Sequence, residues 1–413
     1  MKKVAALLFC IAFLHASLMA QDKDDVPYVI LVSFDGFRFD FPKLFGPPNF
    51  QSLAKNGTEA QGLIPSFPSK TFPNHYTLVT GLYPGHHGLV DNSFYDPDRN
   101  EYYSMKMRNR VQDPYYYSGT PLWKLAKENN IRTASFFWVG SELPKEELRP
   151  DYFYAYDESI ADTLRVDQVM KWLSLPEAER PHFITLYFSS PDHEAHLYGP
   201  ESAEARSAVM NADRLLGRLM TGLKNTQLPV NVVVVSDHGM LSMKEEPATY
   251  IFLDEIMDLK NRSVKYSVGG TQAHIYVSSE LQRDSLYNAL KGKSRKFTVR
   301  TQEEFPANWH YNAVRSGDVL ITANPGYYIV ERNRKKFEAT RKQGSTFGAH
   351  GYDPVQVPQM RGIFIASGPH IKSGLKIPAF ENVHVYPLIA RILNLPVPEI
   401  DGRIEVLEKV YQK

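Results

Sequence analysis

The stretch VNVVVVSDHG, residues 230–239, runs from four consecutive valines into an acidic residue and a histidine. Such a short β-branched run is typical of a buried strand. VILVSFDG at 29–36 and FITLYFSSPDHEAH at 183–196 have the same form, and GAHGY at 348–352 adds a histidine among small residues. In open α/β sheets, functional groups lie beyond the carboxyl ends of the strands. These stretches therefore predict one site at one edge of a sheet.

Strand-like and helical patterns alternate along the chain, which predicts an α/β fold with a mostly parallel central sheet and helices on both faces. The clearest helix is expected at 201–224, where apolar residues recur at helical spacing. Strands are expected near 28–34, 131–137, 183–188, 231–235, 274–277, 318–322 and 362–366. Further helices are expected at 48–56, 121–129, 160–173, 280–291 and 386–393.

The organisation of the 413 residues favours one elaborated domain over two. Residues 240–345 break the alternation, which indicates an insertion between the later strands of a single catalytic domain spanning 21–413. The tyrosine-rich stretch 94–117 has no clear periodicity and is interpreted as an ordered surface excursion.

The first twenty residues have the pattern of a signal peptide. Lys2 and Lys3 precede an apolar run from Val4 to about Leu14, and small residues follow up to Ala20. The run is too short for a comfortable membrane span, so none is expected in the mature chain. The pattern predicts export, to a bacterial periplasm or beyond it by secretion.

Cysteine chemistry is excluded from the mature chain if residues 1–20 are removed, because Cys10 is the only cysteine. A lipoprotein interpretation would need a small residue before Cys10, where Phe9 stands. Metal ligands must then be His, Asp or Glu. The formal net charge of +1 gives no global attraction to nucleic acid or to an anionic membrane, so no nucleic-acid polymer is expected as a partner.

The strand-end residues form a candidate set of ligands for two cations, which predicts two-metal hydrolysis. Asp192 and His196 are four residues apart and share one side of a helical turn. Asp35 taken alone is more typical of a turn or a helix cap than of a metal ligand. The full set is Asp35, Asp192, His196, Asp237, His238 and His350.

A candidate nucleophile lies in SKTFPNH at 69–75. Pro73 suits the first turn of a helix extending to about Val79, so the Thr71 hydroxyl would lie at a helix N-terminus, which favours an alkoxide and a phosphate. The alternative is that Thr71 or Ser69 only caps this helix.

These motifs, taken together, resemble the nucleotide pyrophosphatase/phosphodiesterases of the alkaline phosphatase superfamily. The resemblance runs from about residue 27 to the C-terminus. It rests on KTFPNHY at 70–76, VTGLYP at 79–84, Asp91-Asn92, PHF at 181–183, Pro191-Asp192 with His196, SDHG at 236–239 and His350-Gly351.

The resemblance implies a fold like that of alkaline phosphatase, with two zinc ions per chain and three ligands for each. One ion would be held by Asp192, His196 and His350. The other would be held by Asp35, Asp237 and His238, with the Thr71 oxygen bridging to it.

It also implies that Thr71 attacks phosphorus to give a phosphothreonine, and that Asn92 donates to a nonbridging phosphate oxygen. Phe72 resembles the aromatic residue on which a nucleobase stacks, and Tyr156, in DYFYAY at 151–156, resembles the opposing one. Ordinary packing is the alternative for these tyrosines. Ala195 departs from the family, which usually has glycine before the second-site histidine; a methyl group is tolerated unless φ is positive there.

The expected activity is hydrolysis of nucleoside triphosphates, dinucleotides and other phosphodiesters to nucleoside monophosphates. Three alternatives remain: a lysophospholipid-directed phosphodiesterase, a phosphomonoesterase of the same superfamily, and a metal- or nucleotide-binding module without catalysis. His193 is interpreted as outside the ligand set, and His75, His86 and His87 as structural. Phe136 to Trp138 is interpreted as strand core, with Trp138 near the rim of the substrate pocket.

Overall fold

The computed structural model describes residues 26–331, 333–339 and 344–413. The expected signal peptide at 1–20 lies outside the described residues. Among the described residues, no helix combines the length and the apolarity needed to cross a membrane.

The strands, in chain order, are β1 (Tyr28–Phe34), β2 (Thr58–Ala60), β3 (Leu63–Ile64), β4 (Ser93–Asp96), β5 (Glu101–Ser104), β6 (Thr133–Phe136), β7 (Tyr152–Tyr154), β8 (Phe183–Phe188), β9 (Val230–Val235), β10 (Leu241–Lys244), β11 (Tyr250–Phe252), β12 (Lys265–Val268), β13 (Gln272–Tyr276), β14 (Phe297–Thr301), β15 (Val319–Ala323), β16 (Tyr328–Val330), β17 (Thr346–Ala349), β18 (Phe364–Ser367), β19 (Leu375–Ile377) and β20 (Phe380–Glu381).

The α-helices are α1 (Phe41–Phe45), α2 (Pro48–Asn56), α3 (Thr71–Thr80), α4 (Pro84–His87), α5 (Arg108–Val111), α6 (Leu122–Glu128), α7 (Asp162–Leu173), α8 (Asp192–Tyr198), α9 (Ala203–Thr226), α10 (Leu253–Ile256), α11 (Glu280–Leu290), α12 (Arg334–Ala339) and α13 (Val385–Ile392).

The central sheet has the strand order β19-β2-β18-β9-β1-β8-β6-β7. β1 pairs in parallel with both β8 and β9, and β6 pairs in parallel with β8 and β7. β18 pairs antiparallel with β9 and with β2, so it alone runs against the other strands of this sheet. The expected α/β fold with a mostly parallel sheet is confirmed.

Alternate residues of β1 face two separate hydrophobic clusters, as the strand's two-residue period requires. Val29 and Leu31 pack with α3, α6 and α13 on one face. Ile30 and Val32 pack with α2, α7 and α9 on the other. All seven residues of β1 are buried, because helices cover both faces of the sheet.

The range 240–345 contains a second, antiparallel sheet of order β12-β13-β15-β14. Its apolar residues form a third cluster that includes Ala273, Ile275 and Leu290. The chain thus leaves the central sheet after β9 and returns to it at β18. The interpretation of this range as an insertion within one domain stays a prediction.

The tyrosine-rich stretch 94–117 is more deeply packed than a surface excursion. It contains the hairpin of β4 and β5 followed by α5. Tyr103 and Tyr116 are fully buried against the core, whereas Tyr102 is exposed. Aromatic rings on one side of the hairpin therefore extend the main cluster on the α3 face.

Candidate active site

The carboxyl ends of β1 and β9 bring three candidate ligands together. The two strands pair in parallel with Ser33 opposite Val235, so Asp35 and Asp237 follow at neighbouring positions. Each of Asp35, Asp237 and His238 offers a ligand atom, and these atoms lie within 4.8 Å of one another. We call this set cluster B.

A second set, cluster A, consists of Asp192, His196 and His350, whose ligand atoms also lie within 4.8 Å of one another. α8 begins at Asp192 and places His196 one turn later, while His350 follows β17. Gly36 lets cluster A approach cluster B: its φ is +66°, and a Cβ there would lie 2.8 Å from Cβ of Asp192. Only glycine fits this position without displacement.

The three histidines are oriented alike by backbone carbonyl groups. The Nδ1–H of His196 donates to Gly348 at 2.8 Å, that of His238 to Gly239 at 2.9 Å and that of His350 to Ser69 at 2.8 Å. Each Nε2 lone pair is therefore left to face the carboxylates, as in metal sites. His238 Nε2 lies 3.1 Å from Asp237 Oδ2, and His196 Nε2 lies 3.5 Å from Asp192 Oδ1.

The carboxylates also have the chemistry of ligands. Within the described part of the chain, Asp35 Oδ1, Asp192 Oδ1 and Asp237 Oδ2 are buried oxygens without a hydrogen-bond partner. Burial and the nearby Asp192 raise the pKa of Asp237 to about 8. Burial, with repulsion from Asp237 and Asp192, also raises the pKa of Asp35. Buried carboxylates of this kind require cationic partners, so the two clusters fit metal ions.

The imidazoles are suited to the same partner. Burial lowers the pKa of His238 and of His350 well below the usual range. Both rings are therefore neutral near pH 7, which is the form that binds a metal.

Thr71 lies at the start of α3, next to cluster B. Its Oγ1 is 3.3 Å from Nε2 of His238. The backbone before it is held by Asn74, whose amide donates to the carbonyl groups of Pro68 and Lys70 at 3.0 and 2.8 Å. The hydroxyl is thus fixed at a helix N-terminus, where negative charge is stabilised.

Asn92 is oriented by the same helix terminus. Its Oδ1 accepts a hydrogen bond from the backbone N–H of Phe72 at 2.9 Å. The amide Nδ2 is consequently the group of Asn92 that can donate to a ligand beside Thr71.

A pocket opens beside Thr71 and contains both predicted aromatic contacts. Tyr156 is 41% exposed and its ring centroid lies 5.1 Å from that of Phe137. The ring of Phe72 is partly buried against the core. The lining includes Thr71, Phe72, His75, Arg108, Trp138, Glu142, Tyr156 and Tyr187.

Three polar residues of this pocket are missing from the sequence-based site. Tyr187 donates its hydroxyl to Asp35 Oδ2 at 2.7 Å and so links the pocket to cluster B. Arg108 pairs with the buried carboxylate of Glu142, with one hydrogen bond of 2.8 Å. Tyr187 precedes Asp192 by five residues in β8, but its strand pattern is indistinguishable from core packing. Nothing in the sequence around Arg108 or Glu142 indicates that their side chains pair in this pocket.

The remaining histidines are separated from the clusters in different degrees. His193 is exposed, whereas His87 is buried and its Nε2 lies 3.0 Å from Oγ1 of Thr77. His75 is closer to the site than a purely structural role suggests, because its Nδ1 lies 2.9 Å from the Thr71 carbonyl oxygen and 3.5 Å from Asp237 Oδ2. Ala195 lies inside α8, where φ is not positive, so the methyl group is tolerated at this position.

The fold and these two clusters together define a metal-dependent hydrolase of the alkaline-phosphatase-like type. The profile of the family described as Type I phosphodiesterase / nucleotide pyrophosphatase matches residues 29–353. The chain belongs to this family.

Curated relatives agree with this assignment. The chain is 34% identical over 388 residues to an uncharacterized pyrophosphatase/phosphodiesterase of Schizosaccharomyces pombe, covering 91% of this chain and 79% of the relative. It is 34% identical over 389 residues to human ectonucleotide pyrophosphatase/phosphodiesterase family member 1, covering 91% of this chain. The match spans 41% of that human protein, so the chain corresponds to less than half of its length.

Among solved structures, the chain is similar to murine ectonucleotide pyrophosphatase/phosphodiesterase 5, in an inactive threonine-to-alanine form in complex with AMP. The TM-score is 0.85 at 29% identity, covering 94% of this chain and 100% of the murine one.

Replacing His196 by alanine tests cluster A. We expect His196→Ala to weaken metal binding at this cluster by at least about tenfold, because one of three protein ligands is lost. Metal content after equilibration against a graded chelator series, measured by mass spectrometry, gives the affinity. His193→Ala removes an exposed histidine from the same helix and should leave metal binding unchanged. Equal retention of metal by both variants would exclude His196 as a ligand.

Proposed function

We propose that the chain is a di-zinc phosphodiesterase that cleaves nucleoside triphosphates, dinucleotides and other phosphodiesters to nucleoside monophosphates through a phosphothreonine. The observation that carries this proposal is the position of Thr71, whose hydroxyl adjoins cluster B at a helix N-terminus. Thr71 also lines the aromatic pocket, and the neighbouring Phe72 of that pocket donates its backbone N–H to Asn92.

Zinc is proposed because each cluster combines imidazole nitrogen with carboxylate oxygen. Magnesium and calcium favour oxygen ligands, whereas zinc takes both. Asp192, His196 and His350 would hold one ion, and Asp35, Asp237 and His238 the other, with Thr71 beside it. Bound there, two zinc ions would stabilise charge on the attacking and the leaving oxygens.

The covalent chemistry belongs to Thr71. Its Oγ1 attacks phosphorus, and the bond between phosphorus and the leaving oxygen breaks. Water then cleaves the phosphothreonine, which releases the nucleoside monophosphate and restores the hydroxyl. The dipole of α3 favours negative charge at the N-terminal oxygen throughout.

Asn92 supports a diester as the substrate class. Its free Nδ2 is a neutral donor, and a phosphodiester carries one negative charge fewer than a monoester dianion. Lys70 is the cation in the adjacent sequence, but its ammonium is buried and donates to the backbone carbonyl groups of Gly269 and His350. These bonds hold the Lys70 ammonium among backbone carbonyl groups, outside the residues that line the pocket beside Thr71.

The aromatic pocket supports a nucleoside as the substituent on phosphorus. Phe72 and Tyr156 line it, and base–aromatic stacking contributes about 1–3 kcal/mol per base without requiring one particular base. The murine relative's complex with AMP supports the same ligand class. Relatives named ectonucleotide enzymes support an exported protein, which we place in a periplasm.

Thr71→Ala tests the covalent step. We expect kcat for a nucleotide nitrophenyl diester to fall by at least about a thousandfold, because no other hydroxyl replaces the nucleophile. Bound metal should remain at the wild-type level, and Thr163→Ala, an exposed threonine in α7, should retain wild-type turnover. Undiminished turnover by Thr71→Ala would contradict the phosphothreonine mechanism.

A substrate panel tests the proposed specificity. We expect ATP and a dinucleotide to be cleaved with kcat/KM at least about a hundredfold above lysophosphatidylcholine and a nitrophenyl monoester, since the pocket stacks a base. A chelator should abolish all of these activities. Preference for the lipid would establish the lysophospholipid alternative, and preference for the monoester would establish a phosphomonoesterase. Binding of nucleotides without turnover of any substrate would indicate a binding module.

A further inference from the structure

The second sheet reaches the active site through residues 269–274, at the start of β13 and the turn before it. Asp91, the neighbour of Asn92, lies against this segment: a Cβ on Gly269 would be 2.8 Å from Asp91 Oδ2. Both Asp91 and His274 are completely buried. The residue that precedes Asn92 in the chain is therefore an aspartate whose carboxylate is buried against the second sheet.

A chain of hydrogen bonds joins Asn92 to β13. Asp91 Oδ1 accepts from the backbone N–H of Asn92 at 2.6 Å. Asp91 Oδ2 lies 3.1 Å from His274 Nε2, and His274 Nδ1 lies 3.1 Å from the carbonyl oxygen of Ser316. The Ser316 carbonyl only accepts, so Nδ1 carries a proton. The other ring nitrogen, Nε2, faces Asp91, so the ring is held at both nitrogens.

These contacts determine the orientation of the Asn92 side chain. Its backbone N–H is held by Asp91, while its Oδ1 is held by the N–H of Phe72 at 2.9 Å. With both contacts in place, the direction of Nδ2 is fixed. Without the contact to His274, the Asp91 carboxylate would be free to rotate. The side chain of Asn92 would then be held only by the N–H of Phe72.

We propose that His274 is a positioning residue for Asn92, acting through Asp91 to keep the Asn92 amide aimed at the phosphate bound beside Thr71. This inference rests on the proposed phosphodiesterase function. It assigns the second sheet a part in building the active site, because β13 supplies the residue that positions Asn92.

The same segment of the second sheet also contacts cluster A. Thr271 Oγ1 donates to the carbonyl oxygen of His350 at 3.1 Å. A substitution in β13 that disturbs the strand as a whole would therefore alter metal binding, whereas loss of the Asp91 contact alone would not. Metal content thus separates the two effects.

Two amide substitutions of His274 each keep one of its two hydrogen bonds and remove the other. In His274→Asn, the amide nitrogen takes the place of Nδ1 and keeps the Ser316 bond, but it does not reach Asp91. In His274→Gln, the amide nitrogen takes the place of Nε2 and donates to Asp91. We expect His274→Asn to lower kcat for a nucleotide nitrophenyl diester about tenfold with little change in KM, and His274→Gln to lower it less.

A double-mutant cycle with Asn92→Ala gives the decisive readout. If His274 acts through Asn92, His274→Asn should lower kcat/KM less than about twofold once Asn92 is alanine. A general structural role would give the same tenfold loss in both backgrounds. His182→Asn is the matched control. His182 precedes β8, at the end of that strand away from Asp192, and its ring Nδ1 also lies 2.8 Å from a backbone carbonyl oxygen. This variant should leave kcat/KM unchanged.

The outcomes distinguish this inference from the proposed function. Absence of wild-type turnover would overturn the function itself. Wild-type turnover with a large loss in Asn92→Ala, but no loss in a folded His274→Asn with full metal content, would overturn the positioning role alone. If His274→Asn does not fold, Asp91→Asn takes its place in the cycle, and equal losses in both backgrounds would again refute the proposal.

Discussion

Repulsion among buried carboxylates is the constraint on which the site depends. Asp35, Asp192 and Asp237 converge on one sheet edge. Burial raises the pKa of all three, and repulsion from neighbouring aspartates raises the pKa of Asp35 and Asp237 further. Removing a carboxylate from water costs several kcal/mol unless a partner compensates it. In the proposed di-zinc form, two cations held together with the three similarly oriented imidazoles would supply that compensation. The convergence would otherwise be a source of instability.

The parallel sheet produces this convergence by simple geometry. β1, β8 and β9 are neighbours that run in one direction, so the residues after their carboxyl ends meet at one edge. Gly36 then allows the Asp192 backbone to close on β1. Neighbouring groups then orient the side chains of the site. Backbone carbonyl groups fix each histidine ring, and the N-terminus of α3 binds the amide of Asn92. Backbone groups therefore set the orientation of the three histidines and of the Asn92 amide oxygen.

The sequence predicts the parts of the site that depend on local order. Strand runs ending in Asp or His identify both clusters, and a proline-containing helix start identifies Thr71. Tyr187 is missed because a tyrosine inside an apolar strand has the same pattern whether it packs or donates to Asp35. The Asp91–His274 contact is missed because 183 positions separate the two residues, and their pairing depends on how the second sheet docks. The antiparallel direction of β18 is likewise a property of tertiary pairing, since its apolar run resembles those of the parallel strands.

Anomalous X-ray diffraction at the zinc absorption edge tests the central claim most directly, on crystals of protein purified without chelators. The account predicts two anomalous peaks, one among Asp192, His196 and His350 and one among Asp35, Asp237 and His238, about 4 Å apart as in two-metal hydrolases. A single peak, or none at either cluster in enzymatically active protein, would contradict it.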